Sequence, residues 1–186
     1  MRGIGRLGLI GLLLVAACSG GGSGSAASSS TTTTSTTSTT LAPTTTTSPE
    51  EAVKTAYLAY WKMIDRLSVA PDPDDPELAA RVAEPLLSFT RDDMATRRSE
   101  GRTTRFPADP KLNSHRIDEL TVSGKAASIS DCFVDGRIAV AADGTTNDAV
   151  VTKETKATLM LDGLVWRVSD AEFVMRTDGV AGCAAD

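Results

Sequence analysis

From Ser19 to Thr47 this chain is built almost wholly of serine, threonine, glycine and alanine, with Leu41 and Pro43 the notable interruptions. A segment with nothing to bury cannot offset the entropy of ordering its backbone, so these 29 residues are expected to form a disordered tether. Whatever folds must therefore do so within residues 48–186, one domain's worth of chain. As flexible coil the tether would span about 30 Å, and fully stretched it would reach roughly 100 Å. It carries no bulky or charged residue suited to recognising a partner, which favours a spacer, and proline-containing Ser/Thr tracts of this kind can also accept O-linked sugars.

Ahead of the tether, "GIGRLG" at residues 3 to 8 spells a dinucleotide-binding glycine fingerprint. Such a turn works only between a strand and a helix, with an acidic residue about twenty positions on for the ribose. The first acidic residue is Glu50, and nothing before Gly3 can form the strand, so that reading fails. Arg2 and Arg6 followed by "LGLIGLLLVAA" instead describe a secretory signal peptide, too short for a membrane span of about 20 residues. Its end, "LVAAC", resembles the lipobox of bacterial lipoproteins. That resemblance implies a signal peptide over residues 1–17 and a diacylglyceryl group on the Cys18 sulfur, with Cys18 first in the mature chain and the protein at the outer face of the cell membrane. Each buried methylene of such an anchor adds about 0.8 kcal/mol, so two or three chains hold firmly.

All 24 acidic residues lie beyond the tether, against 17 of the 19 basic ones, a net charge of −7 for the mature chain. Nucleic acid, whose binding depends on neutralising phosphates, is a poor partner for such a chain. Nor does the charge draw it to anionic lipid, which leaves the anchor on Cys18 as the only hold on the membrane.

The folding domain opens on "SPEE", with Ser48 as N-cap, Pro49 at the first helical position and Glu51 where a capping box wants it. Val53, Ala56, Tyr57, Tyr60, Trp61, Ile64 and Leu67 follow at spacings of three and four, one face of a five-turn helix. Asp75 and Pro76 restart a short helix to about Ala83, and Pro85 forces a third, over about Leu86 to Glu100, ended by Gly101.

The second half reads as strands. "ELTVSGKAASIS" predicts a hairpin turning at Gly124-Lys125, with Leu120 and Val122 facing Ile129 and Ala127. "TKATLMLDGLVWRVSD" predicts a second, turning at Asp162-Gly163 and pairing Leu161 with Leu164, Leu159 with Trp166 and Ala157 with Val168. The intervening "FVDGRIAVAADGTTND" reads as an irregular excursion or a short extra strand. Helices first and antiparallel strands second make an α+β domain over residues 48–186, its helices packed on a curved sheet. On element order and the aromatic first helix it resembles the nuclear transport factor 2 superfamily, including SnoaL-like proteins, which implies a cone with a pocket at its wide end.

Ketosteroid-isomerase-like members of that superfamily place a tyrosine donor on the first helix and carboxyl groups across the pocket. The resemblance carries over to Tyr57 and Tyr60 alone, and apolar spacing already accounts for these and Trp61 as core aromatics. Asp118 and Asp131 fall on the side of Leu120 and Ile129, but near the strand ends. His115 is the sole histidine, which excludes multi-histidine metal sites and leaves a lone general base or an ordinary satisfied residue. "PDPDDPE" lacks the spacing and glycine of a calcium loop. Arg91, Arg97, Arg98, Arg102 and Arg105 gather where they complement the negative end of the third helix.

With Cys18 given to lipid, Cys132 and Cys183 are left in an oxidising compartment, and a disulfide between them is expected. Two thiols and one histidine fall short of a zinc site, and Asp131 beside Cys132 disfavours a reactive thiolate. The sequence thus predicts no catalytic residues, metal or cofactor. It favours a binding or accessory module, for an apolar ligand or an envelope protein, with a pocket beside Tyr57, Tyr60, Trp61 and Trp166. A small-pocket isomerase or dehydratase is the alternative.

Overall fold

The computed structural model describes residues 47–183. The leader, Cys18 and the tether up to residue 46 lie outside the described residues, as does the side chain of Cys183.

Helix α1 (Pro49–Val69) starts as its sequence requires: the Ser48 hydroxyl accepts the Glu51 N–H at 3.2 Å, with Glu50 and Glu51 in the first turn and Arg66 in the last. Its apolar stripe is buried, Val53, Tyr57 and Leu67 completely. Helix α2 (Pro76–Arg81) is capped by Asp75 and is shorter than expected. It stops because Val82 turns extended and bridges Val168. Helix α3 (Leu86–Ser99) follows, and Gly101 at φ +62° leads the chain away from it.

Seven strands come next: β1 (Thr103–Arg105), β2 (Asn113–Ser123), β3 (Ala126–Asp135), β4 (Ile138–Val140), β5 (Thr146–Asn147), β6 (Val151–Asp162) and β7 (Val165–Asp178). The long strands form an antiparallel sheet in the order β2-β3-β6-β7, and the short ones a second sheet in the order β1-β4-β5. The expected excursion is thus β4 and β5, and it recruits β1, which the sequence did not suggest.

The first hairpin has its expected register, Leu120 opposite Ile129 and Val122 opposite Ala127. The second is shifted. Asp162 pairs with Val165, Leu161 with Trp166 and Leu159 with Val168, so the turn is Gly163-Leu164. Gly163 at φ +61° takes the first turn position and Leu164 stands 97% exposed. Glycine serves a two-residue turn at either central position, so the glycine alone could not fix which one it takes. Farther along, Ala157 pairs with Ala171.

Three residues interrupt the pairing and act as bulges: Asp118 in β2, and Ser169 and Val174 in β7. Bulges bend a strand and re-aim the side chains beyond them. The inner face of the sheet, against α1, consequently changes character from row to row. Val122, Ala127, Leu159 and Val168 form one row, and Leu120, Ile129, Ala157 and Ala171 the next, both apolar. The third row is Ile117, Asp131, Thr155 and Phe173, and the fourth is His115, Phe133, Lys153 and Arg176. Core occupies one end of the sheet and polar chemistry the other.

Candidate functional site

Two polar clusters occupy that polar end. In the first, Asp131 is completely buried, and its Oδ2 accepts the Tyr57 hydroxyl at 2.9 Å. His115 Nδ1 lies 2.6 Å from the same oxygen. The imidazole stacks on Phe133 at 4.2 Å between centroids and on Trp61 at 4.9 Å. Burial and then the neighbouring Asp131 charge push the Tyr57 hydroxyl far above its ordinary pKa, so it stays a donor. Asp131 Oδ1, His115 Nε2 and Thr155 Oγ1 are buried without hydrogen-bond partners among the described residues. Asp131, His115 and Tyr57 are not among the residues that line the open pocket described next.

The second cluster is open. A cavity of about 390 Å³ lies between α1, α3 and the polar end of the sheet, within the size range of small-molecule sites. Ile64, Leu86, Phe89, Met94 and Phe173 give it apolar walls, and Tyr60, Asp135, Arg137 and Lys153 a polar floor. Asp135 accepts from Arg137 Nε at 2.8 Å, Arg137 Nη2 at 2.9 Å and Lys153 Nζ at 2.6 Å. Arg137 Nη1 reaches back to Asp65 on α1 at 3.2 Å. Burial alone would raise the Asp135 pKa. Its bonds from Arg137 and Lys153 outweigh this and hold the carboxyl well below the usual range. A carboxylate so held is a poor proton acceptor near neutral pH. The Tyr60 hydroxyl is pushed above its ordinary value by burial and is likewise no base.

Local sequence explains how the floor is built. Asp135, Gly136 and Arg137 turn the chain sharply, and the Gly136 N–H donates to the Leu112 carbonyl at 2.6 Å. A Cβ on Gly136 would sit 2.6 Å from that oxygen, so only glycine fits. The turn folds Arg137 back onto a carboxylate two residues away. Lys153 is the inward residue of its row and lies 4.7 Å above the Phe173 ring.

Of the four residues expected around a pocket, Tyr60 and Trp61 line it. Tyr57 is turned toward Asp131 instead, and Trp166 is buried in the first rows beside Leu161. Asp118 does not share the side of Leu120 as expected. It is the bulge residue, exposed and paired with Arg116 at 2.7 Å. Sequence reasoning missed Asp135, Arg137, Lys153 and Phe173 as a group. The "DG" before Arg137 marked a turn but not what the turn would bring together. Of the arginines near α3, Arg97 lines the cavity rim bound to Asp93 at 2.7 Å, while Arg98 and Arg102 pair with Asp72 and Glu100.

Fold and site together define an α+β domain with three helices, antiparallel sheets and, between α1, α3 and the sheet, a mixed polar-apolar cavity open to solvent. Neither a family model nor a curated protein matches the chain. Among solved structures, the intermembrane space region of the chloroplast protein ARC6 is similar, with a TM-score of 0.53 and 19% identity. The likeness covers 65% of this chain and 95% of that one. At such identity it bears on the fold alone.

Proposed function

We propose that this protein is a lipid-anchored, extracytoplasmic binding module. Cys18 carries the acyl chains, the Ser/Thr-rich tether spaces the domain from the membrane, and the domain holds an apolar or amphiphilic small molecule. The anchor and location rest on "LVAAC" behind a basic, apolar leader. The domain itself is of the nuclear transport factor 2-like cone type, a reading supported by a long first helix against a thrice-bulged antiparallel sheet. Binding rests on one observation above others: the 390 Å³ cavity is open and has apolar walls, and the buried carboxylate on its floor is already bound by two cations.

N-phenyl-1-naphthylamine, a neutral apolar fluorophore, tests this. Its emission should rise saturably with one site per chain, and Ala171→Leu, which enlarges a side chain lining the cavity, should weaken binding tenfold or more. Absent saturation, or full binding by that variant, overturns the reading.

A second reading, an isomerase- or dehydratase-type enzyme, is favoured by the contact between Tyr57 and Asp131. It requires the buried cluster to open to a substrate. Isomerisation of a β,γ-unsaturated ketone to its conjugated enone, lost in Asp131→Asn, would replace the binding reading with this one.

A further inference from the structure

The hydrogen-bonding capacity left over on the cavity floor is one-sided. Asp135 is saturated: Oδ1 accepts the Arg137 backbone N–H and Nε, and Oδ2 accepts Arg137 Nη2 and Lys153 Nζ. Each oxygen of Asp65 also takes one donor, Arg137 Nη1 on Oδ1 and Asn113 Nδ2 on Oδ2. Donors are not exhausted. An ammonium has three N–H groups and a guanidinium five. Lys153 uses one of these, Arg137 uses three, and the Tyr60 hydroxyl donates to no group among the described residues. A ligand head seated on this floor meets more unspent N–H groups than acceptors, the acceptors left being the Tyr60 hydroxyl oxygen and, at the rim, Asp93 Oδ1. Among the charges lining the cavity, Arg97, Arg137 and Lys153 stand against Asp93 and Asp135. Asp65 behind Arg137 brings the formal sum to zero, so the unspent N–H groups rather than net charge favour an anionic head, and a dianion's desolvation would go uncompensated. Beyond the floor the walls are apolar, and Phe89 and Phe173 remain 66% and 50% exposed.

We propose that the cavity takes a carboxylate-headed amphiphile, its head on Lys153, Arg137 and Tyr60 and its apolar body between Phe89 and Phe173. This rests on the binding reading above and specifies its ligand class. The carboxylate accepts from donors that the protein leaves unspent, while the exposed phenyl rings are covered by the tail. An ammonium head of the same length would bring further donors to a floor whose buried carboxylate is already saturated, and an alcohol would lose the charge-assisted bonds.

The test is calorimetric titration of the exported full chain carrying Cys18→Ser, so that neither acyl chains nor detergent compete. Decanoate, decanol and decylammonium at pH 7 share one tail and differ in the head. Decanoate should bind at least tenfold tighter than either of the others, and Lys153→Met, checked for folding by circular dichroism, should cost decanoate tenfold or more. Equal or tighter binding of the alcohol or the ammonium, or a preference of less than tenfold, overturns the carboxylate inference and leaves the pocket. Undiminished decanoate affinity in a folded Lys153→Met overturns the assigned head position. Failure of all three to bind removes the pocket reading itself, and this inference with it.

Discussion

Tyr57 and Tyr60 lie on neighbouring positions of one helix face, yet one closes the core and the other floors a cavity. Tyr57 donates to a carboxylate with no exposure, so Tyr57→Phe should destabilise the domain by about 1.5–3 kcal/mol, the range for a bond to a charged group. Urea denaturation measures it. Asp135 makes a different prediction. Its carboxyl is depressed in the folded state, so its contribution is fully present above the unfolded value of about 3.9. That contribution is lost as pH falls below that value toward the folded pKa. Asp135→Asn should cost on the order of 3 kcal/mol at pH 7 by stranding Arg137 and Lys153. It should also flatten the loss of stability between pH 5 and pH 2 relative to the wild type. An unchanged pH profile would mean that other carboxylates, such as Asp75 with Arg66, carry the acid sensitivity.

At the scale of elements, the starts of α1 and α2 and the first hairpin were readable because capping chemistry and alternation are local. The sites were not, because three bulges re-aim whole strands. Straight pairing from Leu120 and Ile129 would put His115 on the outer face. The extra residue at Asp118 reverses that parity and delivers Ile117, His115 and Asn113 inward, which is how His115 meets Asp131. No local signal in "RIDEL" announces the bulge. The tail gives the element-scale prediction. A short 3₁₀ turn, Ala181–Cys183, packs where Gly182 has no room for a Cβ: one would come within 2.9 Å of Thr152 Cγ2. The Cys132 sulfur lies 3.5 Å from the Gly182 carbonyl oxygen, next in the chain to Cys183. We propose a Cys132–Cys183 bridge there. Closing a loop of about 50 residues contributes roughly 4 kcal/mol by chain entropy. Peptide mapping without reductant should find the two peptides joined, and Cys132→Ser should lower stability without touching ligand affinity. Two alkylatable thiols in exported protein would end the proposal.

For the molecule as a whole, the account joins an anchor, a spacer and a receptor domain. Charge cannot bring the proposed mature chain, net −7 once Arg2 and Arg6 are removed, to anionic lipid, so membrane association should depend on Cys18 alone. Cys18→Ala should move the protein from the membrane fraction to the soluble extracytoplasmic fraction or stall it unprocessed, and normal retention would refute the anchor. The cavity between α1, α3 and the sheet is where we propose that a ligand binds. Two-dimensional ¹⁵N–¹H shift mapping of the Cys18→Ser chain during decanoate titration tests it most directly. The account predicts saturable shifts concentrated at Trp61, Phe89, Arg137 and Phe173, with Trp166 and the outer face of the sheet unmoved. Shifts that fail to saturate, or that centre on any other surface, would contradict it.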